Sequence, residues 1–324
     1  MNNDFFANAM AGPERDRYDR PMLVPTGMPG GARAAYTRAS SFADRVKDKR
    51  HIHTWEKRYL ARGMALRPDL QDLAAGELYT SSKLAEDAGK NRQSGKNLDD
   101  IIKRALDHVG IHFLADRGTA IHSFCEDRDR LFEVPEHLRT SVEGYWAAVD
   151  ENGLRLLGIE MFVANDHVMA AGTFDSLVRH PKHGVCIADI KTGDIDPGYA
   201  IQLAIYANGE LYNTDTDERQ PLEALSGGEE INRDIGLIFD VKPEGTKIIE
   251  VDLVKGWALT QAIKMVVDDL RMDLFTEVKV DHILRGIAEA QTEIGLRDLW
   301  QATGSDWKSK HVKAAKARQK EITS

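Results

Sequence analysis

Cysteine is scarce in this 324-residue chain, which contains only Cys125 and Cys186. Two thiols cannot supply the full cysteine ligand set of an iron–sulfur cluster, and they cannot build a zinc ribbon. Both lie in apolar or helical sequence, so we expect reduced, buried thiols of a cytoplasmic protein. The length of the chain instead allows a large apolar core.

Long apolar runs are also missing. No stretch approaches the roughly 18–20 uninterrupted apolar residues of a membrane span, and residues 1–20 are polar and charged, unlike a signal peptide. No Gly-x-x-x-x-Gly-Lys-Ser/Thr phosphate loop is present, so we expect that ATP-driven unwinding would need a separate partner. Because a membrane span and a signal peptide are both missing, we expect no membrane partner.

Charged residues at predicted strand ends carry the chemistry of this sequence. Residues 185–188, Val-Cys-Ile-Ala, are typical of a covered central strand, and Asp189 and Lys191 follow on one face of it. Asp175 gives the strand before it a similar acid. Burying such groups is costly unless they are paired or bind a metal. Two acids and a lysine on neighbouring strands suit metal-dependent phosphodiester hydrolysis.

Residue periodicity places these groups on regular elements. The expected helices are at 40–75, 98–108, 112–130, 137–152 and 198–212, then from Trp257 to about Ala290 and again to the end. The expected strands are at 156–164, 168–179, 184–191, 234–241 and 246–254. His122 and Glu126 would share one helix face, as would Gln202 and Tyr206, because each pair is four residues apart.

The order of these motifs resembles the RecB-like branch of the PD-(D/E)XK nucleases. Gly172-x-x-Asp175, Asp189-Ile190-Lys191 and Gln202-x-x-x-Tyr206 match it in sequence order, and Gly118-x-x-x-His122 precedes them. Glu160 lies where members often carry a strand acid. The overall resemblance is to a bacteriophage-type exonuclease of this branch, without an iron–sulfur cluster. The matched region covers roughly residues 110–255.

The resemblance implies an α/β fold with a restriction-endonuclease-like mixed β-sheet flanked by helices, and with helical N- and C-terminal additions. It implies a Mg²⁺- or Mn²⁺-dependent DNA exonuclease in phage recombination, replication or DNA processing. The implied roles are metal ligation by His122, Asp175, Asp189, Glu160 and the carbonyl of Ile190, water orientation by Lys191, and support or DNA positioning by Gln202 and Tyr206.

The predicted regions are a flexible arm at 1–35, a helical region at 36–110, the nuclease core at 111–256 and a helical C-terminal region at 257–324. The expected partners are DNA and a recombination or replication protein, such as a single-strand annealing protein or a helicase. If a phage encodes the chain, the expected location is the host cytoplasm. Two alternatives stay open: a non-catalytic DNA-binding or scaffold protein that kept the fold, and a metal-dependent hydrolase of small phosphoesters.

The net charge of −9 does not by itself favour a nucleic-acid substrate, but positive charge is concentrated locally. Residues 308–320 contain six Lys or Arg and no acid. Only Val312, Ala314, Ala315 and Ala317 are apolar there, so we expect a segment without a packed apolar face, whose charge attracts DNA.

Overall fold

A computed structural model describes residues 12–28, 31–47, 50–77, 92–269 and 281–324. The chain folds as two compact units, residues 1–266 and residues 267–324. The finer division into an arm, a helical region and a core stays a prediction. Among the described residues, no helix is long and apolar enough to cross a membrane.

The first unit is built on a mixed sheet of eight strands. In chain order its long strands are β4 (Arg155–Asn165), β5 (Ala170–His180), β6 (Gly184–Lys191), β9 (Ile235–Lys242) and β10 (Gly245–Asp252). Shorter strands are β3 (Thr37–Arg38), β7 (Glu210–Tyr212) and β8 (Arg219–Gln220), and β1 (Met22–Leu23) pairs separately with β2 (Ala34–Ala35).

The strand order is β10-β9-β6-β5-β4-β7-β8, with β3 alongside β5. Strand β6 runs parallel to β9 and antiparallel to β5, and β3 runs parallel to β5, so the sheet is mixed. Parallel neighbours need a crossover, and the helix α7 (Gly198–Ala207) lies in the crossover from β6 to β9. The α/β class and the mixed, helix-flanked sheet expected from the sequence are confirmed.

Helices cover both faces of the sheet. On one face, α5 (Phe113–Cys125) and α6 (Glu136–Glu151) pack on a buried cluster that includes Tyr145, Ala188, Ile190 and Phe239. On the other, α7 packs against β4, β5 and β6, and α1 (Ala39–Ala43) packs on α7. Side chains alternate between the two faces along β6. Ala188 and Ile190 therefore face α6, whereas Asp189 and Lys191 lie on the α7 side.

Two predicted helices end earlier than expected. The helix predicted at 112–130 ends at Cys125 and is followed by a 3₁₀ turn, Arg128–Glu133. The helix predicted at 198–212 ends at Ala207, because Glu210–Tyr212 joins the sheet as β7 beside β4. Gly209 allows this change, since a Cβ there would be 3.1 Å from the carbonyl oxygen of Ala164.

Part of the predicted N-terminal arm is packed. Leu23 and Tyr36 are fully buried in a cluster beside β4 and β5. Asp166, in the turn after β4, accepts hydrogen bonds from the Tyr36 hydroxyl (2.5 Å) and the Thr26 N–H (2.6 Å), and it pairs with Arg219 at 2.8 Å. These contacts fix residues 21–28 and 31–36 on the sheet. Residues 1–11, 29 and 30 of the predicted arm lie outside the described residues.

The remaining helices of the first unit are α2 (Arg50–Leu66), α3 (Pro68–Gly76), α4 (Arg92–His108) and most of α8 (Leu253–Asp269). Helices α2, α3 and α4 pack together around Leu70, Ile101 and Ala105. The second unit contains α9 (His282–Glu289), α10 (Glu293–Thr303) and α11 (Ser309–Thr323). Helix was predicted from Trp257 to about Ala290 and again to the end; the break agrees with the end of α9 at Glu289 and the start of α10 at Glu293, and residues 270–280 lie outside the described ones.

The basic C-terminal segment packs, which corrects the expectation drawn from its composition. His311 is 3% exposed, and its Nε2 lies 2.8 Å from Oδ2 of Asp281. Nε of Arg318 donates a 3.0 Å hydrogen bond to the carbonyl oxygen of Ala290. A buried, hydrogen-bonded histidine and small alanines therefore supply the contact that a wide apolar stripe would otherwise make.

The close crossing of α7 and α8 depends on Gly256. A Cβ on Gly256 would lie 2.2 Å from the carbonyl oxygen of Ala200, so the helices must separate to accept it. We expect Gly256→Ala to lower the free energy of unfolding by about 1–3 kcal/mol, the usual cost of overpacking. Urea denaturation followed by circular dichroism measures this.

The matched control is Gly144→Ala, inside α6. A Cβ there would meet only Thr246 Oγ1 at 3.5 Å, and backbone atoms at 3.7 Å, which is ordinary contact. Because alanine is the better helix former, this variant should gain about 0.5–1 kcal/mol. Equal effects of the two substitutions would contradict the proposed crossing.

Candidate active site

Strand register brings Asp175 and Asp189 to one place. The antiparallel pairing of β5 with β6 reaches Ser176 and Ala188, and each aspartate is the next residue along its strand beyond that pair. The N–H of Ile190 donates a hydrogen bond of 2.6 Å to Oδ2 of Asp175. The two predicted acids thus lie on adjacent central strands.

His122 contacts the first of these acids. Its Nδ1 lies 3.3 Å from Oδ2 of Asp175. Gly118, on the same helix, permits the approach of α5, because a Cβ there would be 2.9 Å from Oγ1 of Thr192. Burial lowers the pKa of His122, but Asp175 outweighs it and the net pKa is raised. In turn His122 holds the pKa of Asp175 below its usual value, although burial opposes this.

Lys191 pairs with Asp189 on the α7 side of the sheet. The side chain of Asp189 is only 3% exposed and that of Lys191 is 17% exposed. Burial lowers the pKa of Lys191, but the negative charges of Asp189 and Asp175 raise it further, so the ammonium stays protonated. Each charge compensates the other, and either one buried without its partner would strongly destabilise the folded protein.

Tyr199 holds this lysine from the first turn of α7. The Lys191 ammonium lies 4.7 Å from the centroid of the Tyr199 ring, and the Lys47 ammonium lies 4.8 Å from the same ring. Lys47 also pairs with Asp44 at 3.1 Å and with Asp196 at 3.7 Å. A second cation and an aromatic ring therefore lie beside the predicted catalytic lysine.

Glu126 and Glu160 line the same small cleft as His122 and Asp175. Glu126 is the C-cap of α5, one turn after His122, rather than a residue within a longer helix. Glu160 has a φ of +52° in the middle of β4. A left-handed backbone at a non-glycine strand position costs about 1–3 kcal/mol, and such strain often marks a functional site.

Negative charge is in excess around this cleft. Partial burial and the charges of Asp175 and Glu126 raise the pKa of Glu160 to about 7. Burial, followed by the charge of Asp175, raises the pKa of Asp189 although Lys191 opposes it. Burial also raises the pKa of Glu126, with His122 and Asp175 acting in opposite directions. A bound cation would relieve this repulsion.

The donor types fit a hard divalent cation. Carboxylate and carbonyl oxygens suit Mg²⁺, and an imidazole extends the set towards Mn²⁺. The His122 Nδ1 and Asp175 Oδ2 atoms are already 3.3 Å apart. Within the described residues, however, no three His, Cys, Asp or Glu side chains are close enough to form a ready ligand group. The complete set of five predicted ligands stays a prediction.

Gln202 and Tyr206 lie together on α7. Nε2 of Gln202 donates to the Tyr206 hydroxyl at 3.2 Å. That hydroxyl occupies the space beside Gly172 of β5, where a Cβ would be 2.9 Å from it. The glycine of the Gly-x-x-Asp motif and the tyrosine of the Gln-x-x-x-Tyr motif are thus in contact. Their contact sets the distance between α7 and the strand that carries Asp175.

Sequence reasoning missed Tyr199 and Lys47. Tyr199 follows Pro197 and Gly198 at the start of a helix, and Lys47 lies in a charged N-terminal segment, so neither has a local signal of a site. Only the fold shows that both contribute to the surroundings of Lys191.

A scan against models of known protein families finds no match for this chain, and a search of curated proteins also finds none. A functional inference therefore depends on the residues and geometry of the site.

The contact between Gly172 and Tyr206 can be tested by a double-mutant cycle. Gly172→Ala should lower the free energy of unfolding by about 1–3 kcal/mol, because the added methyl group collides with the hydroxyl. Tyr206→Phe removes that oxygen and should recover part of the loss when the two changes are combined. Thermal and urea unfolding of the four proteins measure the coupling; strictly additive effects would contradict the contact.

Proposed function

We propose that this chain is a metal-dependent deoxyribonuclease, and specifically an exonuclease, with a restriction-endonuclease-like core. The observation that carries the proposal is the convergence of His122, Glu160 and Asp175 on one cleft, with Asp189 and Lys191 on the adjoining strand. The mixed sheet, in which β5 and β6 pair and α7 crosses to a parallel β9, supports the same core.

His122, Asp175, Asp189, Glu160 and the carbonyl of Ile190 would hold Mg²⁺ or Mn²⁺. When bound, the cation would lower the pKa of an attacking water and neutralise charge on the phosphate. The raised pKa values support this ligand set: burial and then the charge of Asp175 raise the pKa of Glu160, and the same two causes raise the pKa of Asp189 although Lys191 opposes them.

The protein's own groups position the reactants. Lys191 is held by Asp189 and by the Tyr199 ring, so its ammonium can orient water or stabilise the charge that develops on the phosphate. Lys47 contacts the same ring but is itself paired with Asp44 and Asp196, so it helps to hold Tyr199 in place. Gln202 and Tyr206 fix α7, and with it Tyr199, on the sheet.

One observation favours a second candidate, a non-catalytic DNA-binding or scaffold protein. Asp189 and Lys191 neutralise each other in the described structure, as a purely structural pair would. A hydrolase of small phosphoesters remains the third alternative from the sequence. DNA as substrate, phage recombination or replication as the setting, and an annealing protein or a helicase as partner are parts of the proposal.

We expect the purified protein to digest linear DNA in Mg²⁺ or Mn²⁺, to spare closed circular DNA, and to be inactive with a chelator. Asp189→Asn should slow cleavage by about 10²-fold or more, because it removes a charged ligand and the partner of Lys191. Gel and single-turnover assays with single-stranded, linear duplex and circular DNA measure this.

The matched control is Asp252→Asn, an exposed acid that pairs with Lys255 at 2.7 Å on the surface. It should cleave at the wild-type rate. An inactive wild-type protein that still binds DNA would favour the scaffold, and cleavage of only a small chromogenic phosphodiester would favour the phosphoesterase.

The Tyr199 ring gives a second test. Tyr199→Phe keeps the aromatic face over Lys191 and should retain most of the cleavage rate, whereas Tyr199→Leu removes it and should lower kcat by about tenfold. Single-turnover rates at saturating DNA separate this loss from weaker binding. Equal rates for the two variants would show that Tyr199 acts only by filling space.

A further inference from the structure

A second binding site lies in the C-terminal unit, within residues 281–324. Helices α10 and α11 leave a pocket of about 260 Å³ between them. Its apolar lining consists of Leu296, Trp300, Trp307, Val312 and Ala315. The two indole rings meet edge to face, with centroids 4.9 Å apart, and Nε1 of Trp307 donates to Oγ1 of Thr303 at 3.0 Å. This hydrogen bond fixes one wall of the pocket.

The apolar surface of this region is not fully covered within its own unit. Trp300 is 49% exposed, Val312 is 36% exposed and Ile294, near the start of α10, is 68% exposed. Exposed apolar side chains that line a pocket, here Trp300 and Val312, are typical of an interaction site. The pocket is smaller than the roughly 300–1,000 Å³ of sites for drug-sized ligands and cofactors, so it suits a single large side chain.

The rim of the pocket is basic. Arg297 of α10 and Lys316 of α11 line it. Lys313 and Lys320 lie three residues before and four residues after Lys316, which places them along the same side of the helix. None of these four side chains forms an ion pair with a carboxylate within the described part of the chain. Their charge is therefore available to a partner.

We propose that this pocket binds an acidic peptide segment of a partner protein through one large apolar side chain. The side chain would enter between Trp300 and Trp307, and the flanking carboxylates would contact Arg297 and the lysines of α11. Apolar burial gives such a contact its affinity, and the charges on the rim select an acidic sequence and speed its association.

The pocket suits a peptide better than a nucleic acid. Glu293 lines it, and its carboxylate accepts a 2.8 Å hydrogen bond from Nε2 of Gln319. A carboxylate at this position can accept a hydrogen bond from a peptide N–H, and the partner's own carboxylates would lie at Arg297 and the lysines of α11, away from Glu293. The aliphatic side chains of Leu296, Val312 and Ala315 cannot form hydrogen bonds with the edge of a nucleobase. They do suit an apolar side chain.

The test uses the full-length protein and a short fluorescein-labelled peptide in which aspartates flank a central phenylalanine. Fluorescence anisotropy measures its dissociation constant. We expect Lys316→Glu to weaken binding by about tenfold or more, since it reverses a charge at the rim. Replacing the peptide's phenylalanine with serine should weaken binding by a similar factor without any change in the protein.

The matched control is Ala317→Glu, which places a new carboxylate one position along α11, outside the pocket lining. It should bind the peptide as the wild type does. A filling variant, Ala315→Leu, should reduce binding while circular dichroism shows that the helices are retained. The serine peptide keeps the test decisive even if a variant fails to fold.

Three results would overturn the proposal. Equal affinity for the phenylalanine and serine peptides would show attraction by charge alone. Displacement of the peptide by oligothymidylate at lower concentration than by unlabelled peptide would assign the pocket to nucleic acid. Self-association of the wild-type protein in sedimentation experiments, abolished by Ala315→Leu, would show that a second copy occupies it.

Discussion

The burial of the Asp189–Lys191 ion pair constrains the rest of the first unit. Asp189 lies in a central strand whose neighbouring residues are apolar and buried, and its side chain is 3% exposed. Removing two charges from water costs several kcal/mol per ion unless partners compensate. The surrounding fold supplies that compensation: Lys191 contacts Asp189 and Tyr199, and the N–H of Ile190 is taken by Asp175. Loss of either Asp189 or Lys191 would leave the other charge buried without its ion-pair partner.

The helix α7 transmits this constraint to the sheet. Its position depends on two places where a side chain is absent, Gly256 on α8 and Gly172 on β5. Both let a neighbouring group approach more closely than a Cβ would allow. Tyr199 and Tyr206 project from the same short helix, so a shift of α7 would move the ring beside Lys191 and the hydroxyl beside Gly172 together. The precision of the site is thus a property of helix packing as well as of the acids themselves.

Local pattern was enough to predict β6 at residues 184–191, because an apolar run ending in two charged residues has few other interpretations. It also placed Asp175 and Asp189 on neighbouring strands. It failed at the end of α7, where strand pairing by Glu210–Tyr212 overrides an apolar sequence that would also suit a helix. The packing of α11 was not predicted from the local sequence, because His311 is buried against Asp281, which lies outside that segment of the chain. Tyr199 and Lys47 were also missed, because a cation–π contact between separate segments leaves no periodic pattern in the sequence.

Glu160 combines two features that oppose folding and that the proposed metal site would account for. The left-handed backbone at Glu160 is strained, and its carboxyl lies in a cleft with Asp175 and Glu126, which also repel it. A protein selected only for stability would gain from a neutral residue at this position, since both the strain and the repulsion oppose folding. Charge that is costly without a ligand becomes favourable when a cation binds, so in the proposed metal site the residues that destabilise the free protein would be the ones that increase its affinity for the ion. The excess of carboxylates in the cleft therefore supports a metal-binding role more strongly than any single contact within it.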